Sequence, residues 1–104
     1  MIAHVVMYKF EHGIDKMKNM AKAKDMMEAL PSQMKWINTI QVGFDFDRGK
    51  SAYDLCVYIT FKTRDELMWF KSEPPHIEAE NFLKEVTTES HLVDFVYDED
   101  SCSV

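Results

Sequence analysis

His4, His76 and Tyr8 are the side chains of this sequence whose types and spacing could do chemistry together. An imidazole titrates near neutral pH, so a histidine at a pocket can take a proton from a carbon acid or give one to an oxygen. A wall of low dielectric shifts its pKa and strengthens its hydrogen bonds. His4, Val6 and Tyr8 alternate along one extended segment and therefore share a face, which lets Tyr8 bring a hydroxyl to the same pocket. His76 follows the pair Pro74-Pro75. The expected pocket wall is Val6, Met20, Met27, Leu55, Val57, Ile59, Phe70 and Leu92. The same residues would also make a dry, filled core, with His4 and Tyr8 as core side chains and His76 bracing the proline turn.

Other chemistry finds little support. Glycine-rich phosphate loops, activated-serine elbows and clustered Cys/His zinc ligands are absent. Asp45/Asp47 and Asp98/Glu99/Asp100 form no regular cation loop, so they read as solvated charge and no metal is expected. Cys56 falls in an apolar segment and reads as a small core residue, whereas Cys102 lies in an acidic tail. The methionines read as flexible core filler, and His12 and His91 as surface residues without a partner. No cofactor is implied.

The elements that must position these residues follow from hydrophobic period. Residues 2–10 make a strand apolar on both faces, with His4, Val6 and Tyr8 on one side and Ala3, Val5 and Met7 on the other. Gly13 and Asp15 mark a turn into a helix over 15–30, where Met20, Ala23, Met27 and Leu30 form the buried stripe. Pro31 is expected to stop it. A second strand runs from Trp36 to Phe46, and Gly43 within it suggests a bulge. After a polar loop, Tyr53 to Phe61 is the third strand, with Tyr53, Leu55, Val57, Ile59 and Phe61 on one face.

Thr63 and Glu66 form a capping box for a helix over 64–72 that buries Leu67 and Phe70 and ends at Pro74-Pro75. A helix over 77–86 and a strand over about 88–97 complete the chain. The order is strand, helix, strand, strand, broken helix, strand. This predicts an α+β fold with a four-stranded antiparallel sheet and helices on one face. Val5, Met7, Cys56 and Tyr58 point to the other face, and an apolar patch of that size is atypical of a monomer. A second copy would cover it as an isologous homodimer.

A chain of 104 residues has room for one domain, here 1–98, with 99–104 as the acidic tail. Its net charge of −6 disfavours nucleic acid and anionic membranes, which need concentrated positive surface. No apolar run approaches the ~20 residues that span a bilayer. His4, Lys9 and Glu11 interrupt the start where a signal peptide would be apolar, so a cytoplasmic location is expected.

With these residues placed, the chain resembles the stress-responsive A/B-barrel domain (Dabb) family from Ile2 to about Tyr97. The resemblance rests on Ile2-Ala-His4-Val-Val-Met-Tyr-Lys-Phe10, Ile40-Gln-Val-Gly43, Tyr53-Asp-Leu55 through Thr60-Phe61, Pro74-Pro-His76 and Val93-Asp-Phe95, in that order. It implies a ferredoxin-like βαββαβ subunit and a dimeric α/β barrel built from two sheets. Within the family, a plant polyketide cyclase closes a linear tetraketide by an aldol step with a histidine, a tyrosine and no cofactor. His76 matches that histidine, Phe70 occupies the tyrosine's position, and His4 matches a pocket histidine of the first strand. Glu73 stands where members commonly have another histidine. The implied function is binding of a small apolar or aromatic ligand, with acid–base chemistry led by His76 and supported by His4. The alternatives are a non-enzymatic stress-associated assembly protein and a cofactorless oxygenase.

Overall fold

The computed structural model describes residues 1–98, so the expected acidic tail over 99–104, with Cys102, lies outside the described residues. Along the chain run β1 (Ile2–Phe10), α1 (Lys16–Glu28), α2 (Leu30–Gln33), β2 (Thr39–Phe44), β3 (Leu55–Phe61), α3 (Arg64–Ser72), α4 (Pro74–Val86) and β4 (Thr87–Val96). The strands form one sheet in the order β2-β3-β1-β4, and each neighbouring pair is antiparallel. This is the ferredoxin-like α+β arrangement that the sequence leads one to expect.

The central strands explain why the helices gather on one side. Val6 of β1 stands opposite Val57 of β3, and Val57 opposite Val42 of β2, so one face is a continuous apolar surface. Onto it pack Met20, Ala23 and Met27 of α1, Leu67 and Phe70 of α3, and Ala79 and Leu83 of α4, all buried. Thr63 caps α3 as the sequence predicts: its hydroxyl accepts the Glu66 N–H, while the Glu66 carboxylate accepts the Thr63 N–H. Gly13 turns the chain from β1 into α1 at φ 151°, a conformation closed to most side chains.

Several boundaries differ from expectation. Pro31 lies in the first turn of the short α2 instead of ending a long helix, since a first-turn proline has no intrahelical N–H bond to lose. Pro74 and Pro75 likewise open α4, which places His76 on that helix's first turn. The second strand is shorter than expected, because Trp36 and Ile37 belong to the turn before it. Gly43 pairs regularly with Cys56, and the register shift instead falls between Lys9 and Phe10. Tyr53 precedes β3 rather than sitting in it.

The opposite sheet face carries no helix. Val5, Met7, Tyr58, Val93 and Phe95 lie there, with Met7 42 % and Val93 53 % exposed. Cys56, opposite Met7, shares this face and is exposed, which corrects its reading as a core residue. Strand alternation decides it: Leu55 and Val57 take the buried side, so the residue between them cannot.

Candidate functional site

Strand pairing makes the first part of the site. In register, His4 of β1 faces Asp94 of β4, and both point to the helix side. The buried His4 ring holds Asp94 Oδ1 at 2.6 Å through Nδ1, and Asp94 Oδ2 accepts from Lys71 Nζ at 3.0 Å. Burial raises the Asp94 pKa, but bonds from Lys71 and His4 outweigh it and hold the carboxyl below the usual range. Asp94 is therefore an ionised acceptor. Burial is also the largest influence on His4 and lowers its pKa despite the neighbouring carboxylate. The ring is neutral near pH 7, its proton sits on Nδ1, and Nε2 keeps the basic lone pair.

The second part is organised by α4. His76 and Glu80 are four residues apart on one helix face, with Nε2 3.6 Å from Glu80 Oε1. The Nδ1 of His76 donates to the Lys71 carbonyl at 3.3 Å. Tyr8 donates its hydroxyl to the same Glu80 oxygen at 2.8 Å. Burial raises the Glu80 pKa, yet the neighbouring His76 ring and the hydrogen bond from Tyr8 more than offset it and keep the carboxyl ionised. Burial and that carboxylate push the Tyr8 phenol well above its ordinary pKa, so it stays a neutral donor. Phe70 ties the two parts together. Its buried ring lies 4.3 Å from the His76 ring and 5.7 Å, edge to face, from His4.

Between β1, β4 and α4 is a cavity of about 410 Å³, lined by His4, Val6, Tyr8, Lys71, His76, Glu80 and Leu92 among others. That is within the range of small-molecule sites. The three residues singled out for chemistry thus meet at one cavity, with Val6 and Leu92 on its wall. Met20, Met27, Leu55, Val57, Ile59 and Phe70 are not on it. They fill the core beneath α1 and α3, because the space lies under α4 at the sheet edge, away from β3.

Asp94, Glu80 and Lys71 were not among the expected site residues. Glu80 had a signal, its four-residue spacing from His76. Asp94 had one too, as a carboxylate at an inward position between Leu92 and Val96 in an apolar strand. Lys71 had none; only the packing of α3 against the sheet edge brings it there. His12 is exposed and makes no ring contact or side-chain hydrogen bond among the described residues, whereas exposed His91 meets the Tyr53 ring edge to face at 5.6 Å. Among the described residues no three His, Cys, Asp or Glu side chains gather as metal ligands, and no helix is long and apolar enough to cross a membrane.

No curated protein matches the chain in sequence. Among solved structures, a dimeric protein of unknown function and ferredoxin-like fold from Bacteroides fragilis is 25% identical, with a TM-score of 0.84 over 92% of this chain and 95% of that one. The hydroxynitrile lyase of Passiflora edulis superposes with a TM-score of 0.82 at 13% identity, covering 94% of each chain. A Dabb family protein with a ferredoxin-like fold from Mesorhizobium loti gives 0.71 at 14% identity, over 92% of this chain and 95% of that one. The family model for the stress responsive A/B barrel domain matches residues 2–97. Sequence pattern, sheet order and these likenesses agree, and the chain belongs to the stress responsive A/B barrel (Dabb) family.

Proposed function

We propose that this chain pairs with a second copy through its bare sheet face and binds a small, largely apolar carbonyl compound in the cavity under α4. There it performs cofactor-independent acid–base chemistry at the carbon next to the carbonyl. One observation carries the reading: the buried His4 ring is fixed through Nδ1 to Asp94 at 2.6 Å, while Nε2 has no hydrogen-bond partner among the described residues. A ring held in that tautomer has its base already aimed and loses nothing to reorientation when it takes a proton.

The division of labour differs from one led by His76. Both His76 nitrogens face protein acceptors: Nδ1 bonds the Lys71 carbonyl at 3.3 Å, and Nε2 stands 3.6 Å from the Glu80 carboxylate. At 3.6 Å the contact to Glu80 is too long for a hydrogen bond, which leaves Nε2 open to an incoming oxygen. His4 Nε2 therefore takes the α-proton, and His76 donates to the carbonyl oxygen as negative charge builds there. Tyr8, bonded to Glu80, holds that carboxylate in place beside His76.

Dimer formation is supported by the uncovered apolar residues Met7, Tyr58, Val93 and Phe95, and by a Bacteroides relative described as dimeric. A protein serving only as a packed assembly unit has no need of a 410 Å³ space ringed by ionised groups. The direct test is exchange of the α-hydrogens of 1-phenylheptan-1-one in D2O, followed by NMR without added cofactor. The protein is expected to accelerate exchange, and His4→Gln and Asp94→Asn to slow it by about 10²-fold or more, the usual size of general-base catalysis. Exchange no faster than in buffer alone would remove the acid–base reading.

A further inference from the structure

The cavity has a direction, and three elements report it independently. Along β1 the inward residues run His4, Val6, Tyr8; along β4, in register with them, run Asp94, Leu92, Ser90. Along α4 the cavity side runs from His76 through Ile77, Glu80 and Asn81 to Lys84. His76 and His4 both lie against Phe70, so helix and strands start from the same end. His4 to Tyr8 is four strand residues, about 13 Å, and His76 to Lys84 is eight helical residues, about 12 Å. The space is therefore elongated: His4, His76 and Ile77 at one end, Val6, Leu92, Glu80 and Asn81 in the middle, and Tyr8, Ser90 and Lys84 at the other.

The charges at the two ends are not equivalent. Lys71, at the histidine end, is spent on Asp94 at 3.0 Å. Glu80 is spent on Tyr8 and faces His76. Lys84 lines the cavity, yet no ion pair or hydrogen bond joins its ammonium to another described residue. Beside it, the Asn81 amide and the Ser90 hydroxyl can both donate.

We infer that the ligand carries an anionic end, a carboxylate separated from its reacting carbonyl by no more than the about 12–13 Å of the helix and strand rises above, and that Lys84, Asn81 and Ser90 receive it. This rests on the reading of the cavity as a ligand site and specifies its substrate class: an oxo acid with an apolar middle. A neutral ketone of the same length would leave the Lys84 ammonium facing only water and gain nothing from it. The carboxylate end lies at the exposed rim, so the contact trades one hydrated charge for a paired one without deep desolvation.

The test uses 7-oxo-7-phenylheptanoate and its methyl ester, which differ only in the charge, titrated by calorimetry into the full-length protein. The acid is expected to bind about tenfold more tightly than the ester, the scale of one charge-assisted contact. Added salt should shrink that ratio. Lys84→Met keeps the stem and helix propensity but removes the charge; it should bring the two affinities within about twofold of each other, with the ester's unchanged. Equal binding of acid and ester by the unaltered protein, or an undiminished preference in Lys84→Met, would overturn the anionic end and leave the ligand site standing. Binding of neither would remove both.

Discussion

His4 sits where three influences oppose one another, which makes its titration informative. Burial and the Lys71 and His76 charges lower its pKa, while the hydrogen bond and charge of Asp94 raise it. Two neighbouring substitutions should therefore move the His4 ring in opposite directions. In an NMR titration, Asp94→Asn shifts His4 to lower pH and Lys71→Met shifts it to higher pH. A common direction would mean that the ring is not governed by these contacts.

The sign carries over to stability. A histidine whose pKa lies below its ordinary 6.5 in the fold binds its proton more readily when unfolded. Its contribution is therefore whole above that value and is lost as pH falls from there towards the folded pKa. Asp94 and Glu80, both held low, lose theirs further down, as pH falls through the carboxylate range. The urea midpoint should fall between pH 7 and pH 5, and His4→Gln should flatten that slope. A midpoint unchanged over this range in the unaltered protein would contradict the buried, neutral ring.

At the scale of elements, the site depends on how α3 hands over to α4. Phe70 and Lys71 end one helix, Glu73 spaces the two, and Pro74 starts the next with φ already set for it. The start of α3 is fixed by the Thr63 cap, so Thr63→Ala should cost about 1 kcal/mol in chemical denaturation. Because the cap lies away from the cavity, ligand affinity should stay within about twofold of the unaltered protein. Much of this level was legible. The alternation in 2–10 and 55–61 and the Thr63/Glu66 box require nothing beyond neighbours in sequence. The misplaced features at Pro31, Pro74-Pro75 and Gly43 fall where the local restriction admits two outcomes, whereas Trp36, Ile37 and Tyr53 are apolar residues lying just outside their strands. A proline forbids a helix interior but suits a helix start, and only the surrounding packing selects one.

For the molecule as a whole, the uncovered sheet face sets the expected assembly. Val93 is central on it, paired with Val5 in register and 53 % exposed in the single chain. Scattering at micromolar concentration should give twice the 12.2 kDa chain mass. Val93→Glu should shift it towards one chain and lower the melting temperature, because a carboxylate buried between two sheets has no partner to offset its desolvation. A single-chain mass for the unaltered protein would remove the shared barrel.

Taken by itself, the sequence determined the succession of elements, the two faces of β1 and the sharing of one side by His4, Val6 and Tyr8, because periods of 2 and 3.6 residues are local properties of the backbone. It could not determine which polar groups meet those side chains. His4 and Asp94 are far apart in the chain and become neighbours only when β4 pairs beside β1; Lys71 joins them only when α3 lies on the sheet. The cavity is likewise a tertiary product. Its place under α4, and the reassignment of Met20, Met27, Leu55, Val57, Ile59 and Phe70 from wall to core, follow from where the helices leave a gap at the sheet edge. No periodicity in one dimension encodes that gap.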